Sequence, residues 1–407
     1  MIESIAAHEN ASSYHLAPQN ARPARDPRRW SRFGLAVTSG RAVALIESRG
    51  SLTPLSERTL RVHPVPSPPP RTCALLALGL GASVTLAGCS TRTTAPTGTG
   101  DISGFRLGAF ASDRGNPGQT SIYLWDYDAN AFKEVPLLNS SIAPRHHPSI
   151  SSDGRFIAFQ ISSGGGSGDD IQLYDRKGPG FFDLSALNTA ANEGEPAFTG
   201  DGRMLCYTQG SGVTRRVRMF DGVNRVNVPL PGLDTTGVAY ADYSPAPNFD
   251  GTLIAFVSTR GGGEHIHVYD RTRHLLLEGP KLRQALESGG NDIDPSFSSS
   301  GRFLTFASTR GGSGGNDLYL LEFVYSVGSN DTLLRDISAA NLSGDDRHPS
   351  VSDTGNTIVF QSDRHGGQGG YDLWTYDRLT ATPVHLDPSL GYNSLGNDVE
   401  PSLKWPN

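Results

Sequence analysis

Six prolines, Pro148, Pro196, Pro245, Pro295, Pro349 and Pro401, each follow a residue that can bond or titrate: His147, Glu195, Ser244, Asp294, His348 and Glu400. Three residues before each proline stand Arg145, Glu193, Asp242, Asp292, Asp346 and Asp398. If these segments enter a common channel, its mouth gathers up to eight carboxylates with two imidazoles. Such a rim would concentrate cations or a basic segment of a partner. Oxygen donors of this kind suit a divalent cation such as calcium, and no other cofactor is expected. A plainer role for the same acids is to cap turns, or to bond Arg114, Arg260, Arg310 and Arg364 of neighbouring repeats.

Other motifs carry less chemistry. The loops GGGSGDD (164–170), GGGEH (261–265), GGSGGND (311–317) and GGQGGYD (366–372) are glycine-rich, yet no Lys-Ser/Thr follows any of them. A phosphate loop needs that pair and a helix N-terminus, so these read as hairpin connections. Gly311-Gly312-Ser313-Gly314-Gly315 fits the G-x-S-x-G pattern of hydrolases. That motif works on a strained strand-to-helix turn, whereas Ser313 falls in a glycine hairpin. No catalytic residue is assigned. His146-His147 and His265-x-His267 could ligate metal, but alternate strand positions share a face in any sheet.

The elements that must position these residues repeat. An apolar strand with a central aromatic recurs at Phe110, Phe159, Tyr207, Phe256, Phe306 and Phe360. In five copies the proline is followed six positions later by a glycine, Gly154, Gly202, Gly251, Gly301 and Gly355, preceded by Asp, Ser or Thr. This is the chemistry of a tight hairpin turn. A third element alternates on a two-residue period and ends in an acid, as in SIYLWDYD, HIHVYD and DLWTYD. Half-buried strands require that alternation. With a variable fourth strand such as AFKEVP, each unit of about 50 residues makes one propeller blade. The first unit lacks its inner strand, and the segment Glu400-Pro401-Ser402-Leu403-Lys404-Trp405 is an inner strand with nothing after it. Joining the two predicts an all-β, six-bladed β-propeller of four-stranded antiparallel blades over residues 101–407, closed by exchange of N- and C-terminal strands.

Units such as DIDPSFSSSGRFLTFASTRGGSGGNDLYLLE resemble the β-propeller repeats of the TolB family. The resemblance implies a bacterial envelope protein whose propeller engages a partner, as TolB engages peptidoglycan-associated lipoprotein. Similar repeats occur in peptidase propeller domains and in some polysaccharide lyases. TolB itself carries an α/β domain before its propeller, which is not expected within residues 1–100 here.

Composition agrees with a turn-rich β protein. The 407 residues include 48 Gly and 27 Pro, with 36% hydrophobic and 19% charged content. Residues 1–100 hold 11 basic and 5 acidic side chains, leaving 24 and 36 for the rest. So acidic a region is ill suited to a phosphate backbone, and no nucleic-acid partner is expected.

The segment CALLALGLGASVTLA (73–87) has the length of a secretory apolar core and is short for a bilayer span. Leu86-Ala87-Gly88-Cys89 resembles a bacterial lipobox, which implies a lipid on Cys89 and a signal segment over 71–88. Ser90 then agrees with outer-membrane sorting in a Gram-negative cell. Residues 89–100 form a Thr/Pro/Gly tether. Residues 1–70, rich in Arg, Pro and Ala, are assigned no fold: they are either a disordered leader or a start placed upstream of one near Leu60, Val62 or Val65. With Cys73 removed and Cys89 acylated, Cys206 is the remaining thiol, expected as a small buried residue in the strand RMLCYT.

These readings converge on a monomeric, lipid-anchored, non-enzymatic binding or scaffolding propeller, facing the periplasm and engaging an envelope protein or glycan at the channel mouth. The anchor is its contact with the membrane. The alternative is a metal-assisted polysaccharide lyase or hydrolase using His147, His348 and the carboxylates.

Overall fold

The computed structural model describes residues 107–404 apart from 127–130, 136–137, 140–142, 163–167, 234–236, 288, 312–314 and 327–328, together with four short strands between residues 33 and 84. The chain divides into two units, Met1–Thr91 and Arg92–Asn407. In the first, Phe33–Thr38 pairs with Arg41–Ile46 and Leu76–Leu78 with Ala82–Val84, both antiparallel. The first pair lies in a segment to which the sequence reading assigns no fold; GLAVT and RAVALI flank the turn dipeptide Ser39-Gly40. Cys89, the tether and Ser313 lie outside the described residues. Among the described residues no helix is long and apolar enough to cross a membrane.

The second unit is a six-bladed propeller of four-stranded antiparallel sheets. The first blade begins at the inner strand Arg145–Ile150, and the next four begin at Glu193–Phe198, Asp242–Pro247, Asp292–Phe297 and Asp346–Val351. The closing blade takes its inner strand, Asp398–Lys404, from the C-terminal end, and its other three, Leu107–Ser112, Ser121–Asp126 and Ala131–Glu134, from residues 107–134. The register of the join runs from Asp398 opposite Ser112 to Lys404 opposite Leu107. The expected strand exchange is therefore the means of closure. It removes the two sheet edges that an open ring would expose.

The core is distributed over the six interfaces between blades. Ala109, Ile122 and Leu124 of the closing blade pack with Ile150, Ile157 and Phe159 of the first. Phe297, Leu304 and Phe306 of the fourth pack with Ala255, Ile266 and Val268 of the third. All six repeat aromatics are buried, none above 2% exposure. Each buried aromatic or aliphatic side chain contributes roughly 1.5–3 kcal/mol, so every blade depends on both neighbours. Cys206 is buried among Val217, Leu230 and Phe256, as its strand predicts. The five turn glycines take φ between 67° and 70°, where a side chain would be strained.

Two elements depart from the regular repeat. A helix, Pro280–Leu286, follows the third blade and buries Leu282, Ala285 and Leu286 against it. In the fourth blade the outer hairpin Asp317–Ser326 with Ser329–Arg335 extends beyond its counterparts.

Candidate functional site

The residue-proline dipeptide of each inner strand is a β-bulge. The ladder slips between His146 and Ser149, Gly194 and Ala197, Tyr243 and Ala246, Ile293 and Ser296, Arg347 and Ser350, and Val399 and Ser402. In each case two residues oppose one, and that one is the repeat aromatic. Proline cannot donate to a ladder, and a bulge is one of the few places a sheet accepts it. The residue before it adopts a left-handed conformation in all six blades: φ is 50° at His147, 51° at Glu195, 51° at Ser244, 52° at Asp294, 47° at His348 and 55° at Glu400. Non-glycine residues pay of order 1–3 kcal/mol for such backbone. Six repetitions of it on one level of the ring define the site.

The six side chains form a ring in which the carboxylates Glu195, Asp294 and Glu400 alternate with His147, Ser244 and His348. Each acid accepts the freed bulge amide of the following blade. His147 N–H donates to Glu400 Oε2 at 2.6 Å, Ser244 N–H to Glu195 Oε2 at 2.7 Å, and His348 N–H to Asp294 Oδ2 at 3.3 Å. Two of the acids' own amides are met from the second strand of the preceding blade: Glu195 N–H by Gln160 Oε1 at 3.2 Å and Glu400 N–H by Gln361 Oε1 at 2.8 Å.

The ring is narrow. His147 and His348 belong to blades separated by the closing blade, yet their ring centroids are 5.9 Å apart. Glu400 lies between them in blade order, with Oε1 3.6 Å from His147 Nδ1. Asp294 Oδ2 is 3.5 Å from His348 Nδ1 and 3.0 Å from Arg347 Nε. Burial opposes the charged form of His147, but Glu400, Glu195 and Asp294 outweigh it and raise its pKa. For His348 burial prevails, helped by His147 and Arg347, and its pKa falls. Asp294 and Glu400 are both held below the ordinary carboxylate range: burial pushes them up, but His348 and Arg347 outweigh it at Asp294, and His147 and His348 at Glu400. Two imidazoles in one cluster thus differ in their readiness to carry a proton.

The other expected rim residues lie elsewhere. Glu193, Asp242, Asp292, Asp346 and Asp398 are each 0% exposed, and Arg145 is 2%. Asp242 receives both of its bonds from Arg260 Nη2 at 2.8 Å, and Asp292 pairs with Arg310 and with His265. Asp346 pairs with Arg364 at 2.6 Å and Asp398 with Arg114 at 2.6 Å. Each arginine stands in the same blade as its acid, not in a neighbour. Glu193 accepts from Thr189 Oγ1 and Gln209 Nε2. The expected ring of acids therefore divides into a buried, bonded set and the alternate set that lines the ring. His265 and His267 join no cluster of possible metal ligands among the described residues.

Sequence reasoning passed over Gln160, Gln361, Thr208 and Arg347. The first three occupy the position after the repeat aromatic, where a strand would ordinarily carry an apolar residue. Thr208 Oγ1 donates to Glu195 Oε2 at 2.6 Å. A polar residue at that register was the available signal.

No family model matches the chain, and no curated protein matches it. Solved structures do. TolB from Acinetobacter baumannii superposes with a TM-score of 0.53 at 19% identity, over 76% of this chain and 69% of that one. Hydrazine synthase from Kuenenia stuttgartiensis gives 0.50 at 13% identity, over 74% of this chain and 47% of that one. The fold is thus that of a TolB-like six-bladed propeller. The same architecture in a protein named as a synthase means that the fold alone does not choose between binding and catalysis.

Proposed function

We propose that the chain is a lipid-anchored, non-enzymatic binding or scaffolding propeller of a bacterial cell envelope, engaging a protein or glycan at the end of the channel that bears the ring. The observation that carries this reading is the alternation of three carboxylates with His147, Ser244 and His348 on a strained but hydrogen-bonded frame. A fixed set of polar groups lining a channel is suited to recognition. The ring is acidic, with Arg347 offsetting Asp294, so a basic partner segment fits it best. Anchoring through Cys89 rests on the lipobox resemblance and places the propeller on the membrane by one modified residue.

Two measurements test the reading. Cys89→Ser should shift the protein out of the membrane fraction or leave it unprocessed, and unchanged fractionation would remove the anchor. Capture from envelope extract should be lost in a Glu195→Gln/Asp294→Asn variant that still folds; equal capture by both proteins would remove the ring as the docking site.

The second reading, a metal-assisted polysaccharide lyase or hydrolase, is favoured by the proximity of His147, His348 and Glu400. It requires chelator-sensitive cleavage of a polysaccharide, which the binding reading does not.

A further inference from the structure

Three donors in the ring meet a condition that the carboxylates alone do not. His147, His348 and Glu400 each present one ligand atom such that all three lie within 4.8 Å of one another. They come from the first, fifth and closing blades, so closure of the ring is what assembles them. Glu400 divides its two oxygens: Oε2 accepts the His147 amide, and Oε1 faces the His147 ring at 3.6 Å. The Nδ1 of His348 is shielded from solvent and makes no hydrogen bond, although Asp294 Oδ2 stands 3.5 Å away. A buried polar atom in that state lacks a partner that a cation could supply.

We propose that the ring binds one divalent transition-metal ion of the zinc class, with His147, His348 and Glu400 as its protein ligands. Donor type selects the ion. Calcium takes roughly six to eight oxygens, and the ring cannot offer them. Asp294 is engaged by Arg347 and the His348 amide, and Glu195 by Thr208 and the Ser244 amide. Two imidazoles with one carboxylate are instead the donors preferred by zinc, cobalt and nickel. Bonds of about 2.0–2.2 Å place tetrahedral donors roughly 3.3–3.5 Å apart. The Glu400–His147 separation of 3.6 Å already approaches that value, and the His348 donor lies within 4.8 Å of both. All three residues sit on strands whose backbone is fixed by the bulge, which holds ligands more closely than a loop would. The His147 side chain is 31% exposed, so water could supply a fourth ligand.

The ion requires no partner macromolecule, so this inference and the docking proposal fail separately. The test uses the full chain prepared without a histidine tag, titrated with Zn²⁺ by equilibrium dialysis and with Co²⁺ by visible absorption. One equivalent of Zn²⁺ should bind the wild type, and Co²⁺ should give the intense absorption of a four-coordinate site. His147→Gln, His348→Gln and Glu400→Gln should each weaken binding by about ten-fold or more. His265→Gln, at an imidazole outside the ring, should bind as wild type does. Thermal melts identify any variant that fails to fold. Because His348 Nδ1 makes no hydrogen bond, His348→Gln is the variant expected to keep its melting point. Absence of stoichiometric Zn²⁺ in the folded wild type would overturn the proposal. So would binding that survives both histidine substitutions, or a calcium-induced rise in melting temperature with no response to zinc.

Discussion

The backbone amide of His147 bonds the carboxylate of Glu400 at 2.6 Å, across 253 residues of sequence. This contact spans the seam between the closing blade and the first. Beside it, Ile150 N–H reaches Ser402 Oγ at 3.4 Å. One strand thus completes a sheet on one side and supplies bonds to the adjoining blade on the other.

Removing residues 398–407 should therefore do more than shorten the chain. Leu107–Ser112 would lose its inner partner and Arg145–Ile150 its neighbour, exposing apolar surface at two blades. The truncated protein should lose its cooperative melt and aggregate. A monomeric product with the wild-type melting midpoint, by calorimetry and light scattering, would refute this closure.

The pair Asp346–Arg364 is nearly solvent-free, with side chains 0% and 1% exposed. Burial pushes the Asp346 carboxyl up even against the guanidinium beside it. Removing either partner strands the other. Asp346→Asn and Arg364→Met should each cost about 3–5 kcal/mol in urea denaturation, and the double variant less than the two costs together. Additive losses would show the two residues to be independent.

Gly355 and Gly262 share a left-handed backbone but not an environment. A Cβ at Gly355, where φ is 67°, would stand 2.7 Å from the Phe303 ring of the preceding blade; at Gly262, where φ is 88°, nothing lies within 4 Å. Gly262→Ala should cost about 1–2 kcal/mol from conformation alone. Gly355→Ala should cost roughly 1–3 kcal/mol more from overpacking. Equal losses by chemical denaturation would mean that the blade interface yields freely at Phe303.

His267 should make the fold acid-sensitive. Burial, with Arg260, His265 and Arg283 nearby, lowers its pKa to about 4, and its Nε2 makes no hydrogen bond. An unfolded histidine protonates near 6.5. Between roughly pH 6.5 and 4 the unfolded chain binds a proton that the folded one refuses, so stability is complete above that window and falls within it. His267→Phe, placed against Phe256, should flatten the decline in melting temperature from pH 7 to pH 4.5. Parallel profiles for the two proteins would assign the acid loss to other groups.

The repeat phase, the aromatic register and the orphan C-terminal strand made the propeller and its closure legible in sequence. The ring was legible only in part. Asp292 and Asp294 are two apart, and on a regular strand they would share a face. The bulge at Asp294-Pro295 breaks that parity, sending Asp292 inward to Arg310 and Asp294 to the ring. A signal existed: the four repeats with Asp three residues before the proline carry Arg four residues after the aromatic, whereas those with Arg145 and Glu193 carry Ser163 and Ser211 there. The helix Pro280–Leu286 had no comparable mark, since its seven residues are too few to establish a helical period.

Because the left-handed turn before each proline belongs to the backbone, its six side chains answer to different obligations. Glu195, Asp294 and Glu400 are committed to the amides of the next blade. The side chains of His147, Ser244 and His348 hold no such post. Replacing them leaves the interblade amide bonds in place, so the chemistry of the channel can drift through three interchangeable seats while the architecture around it is inherited unchanged.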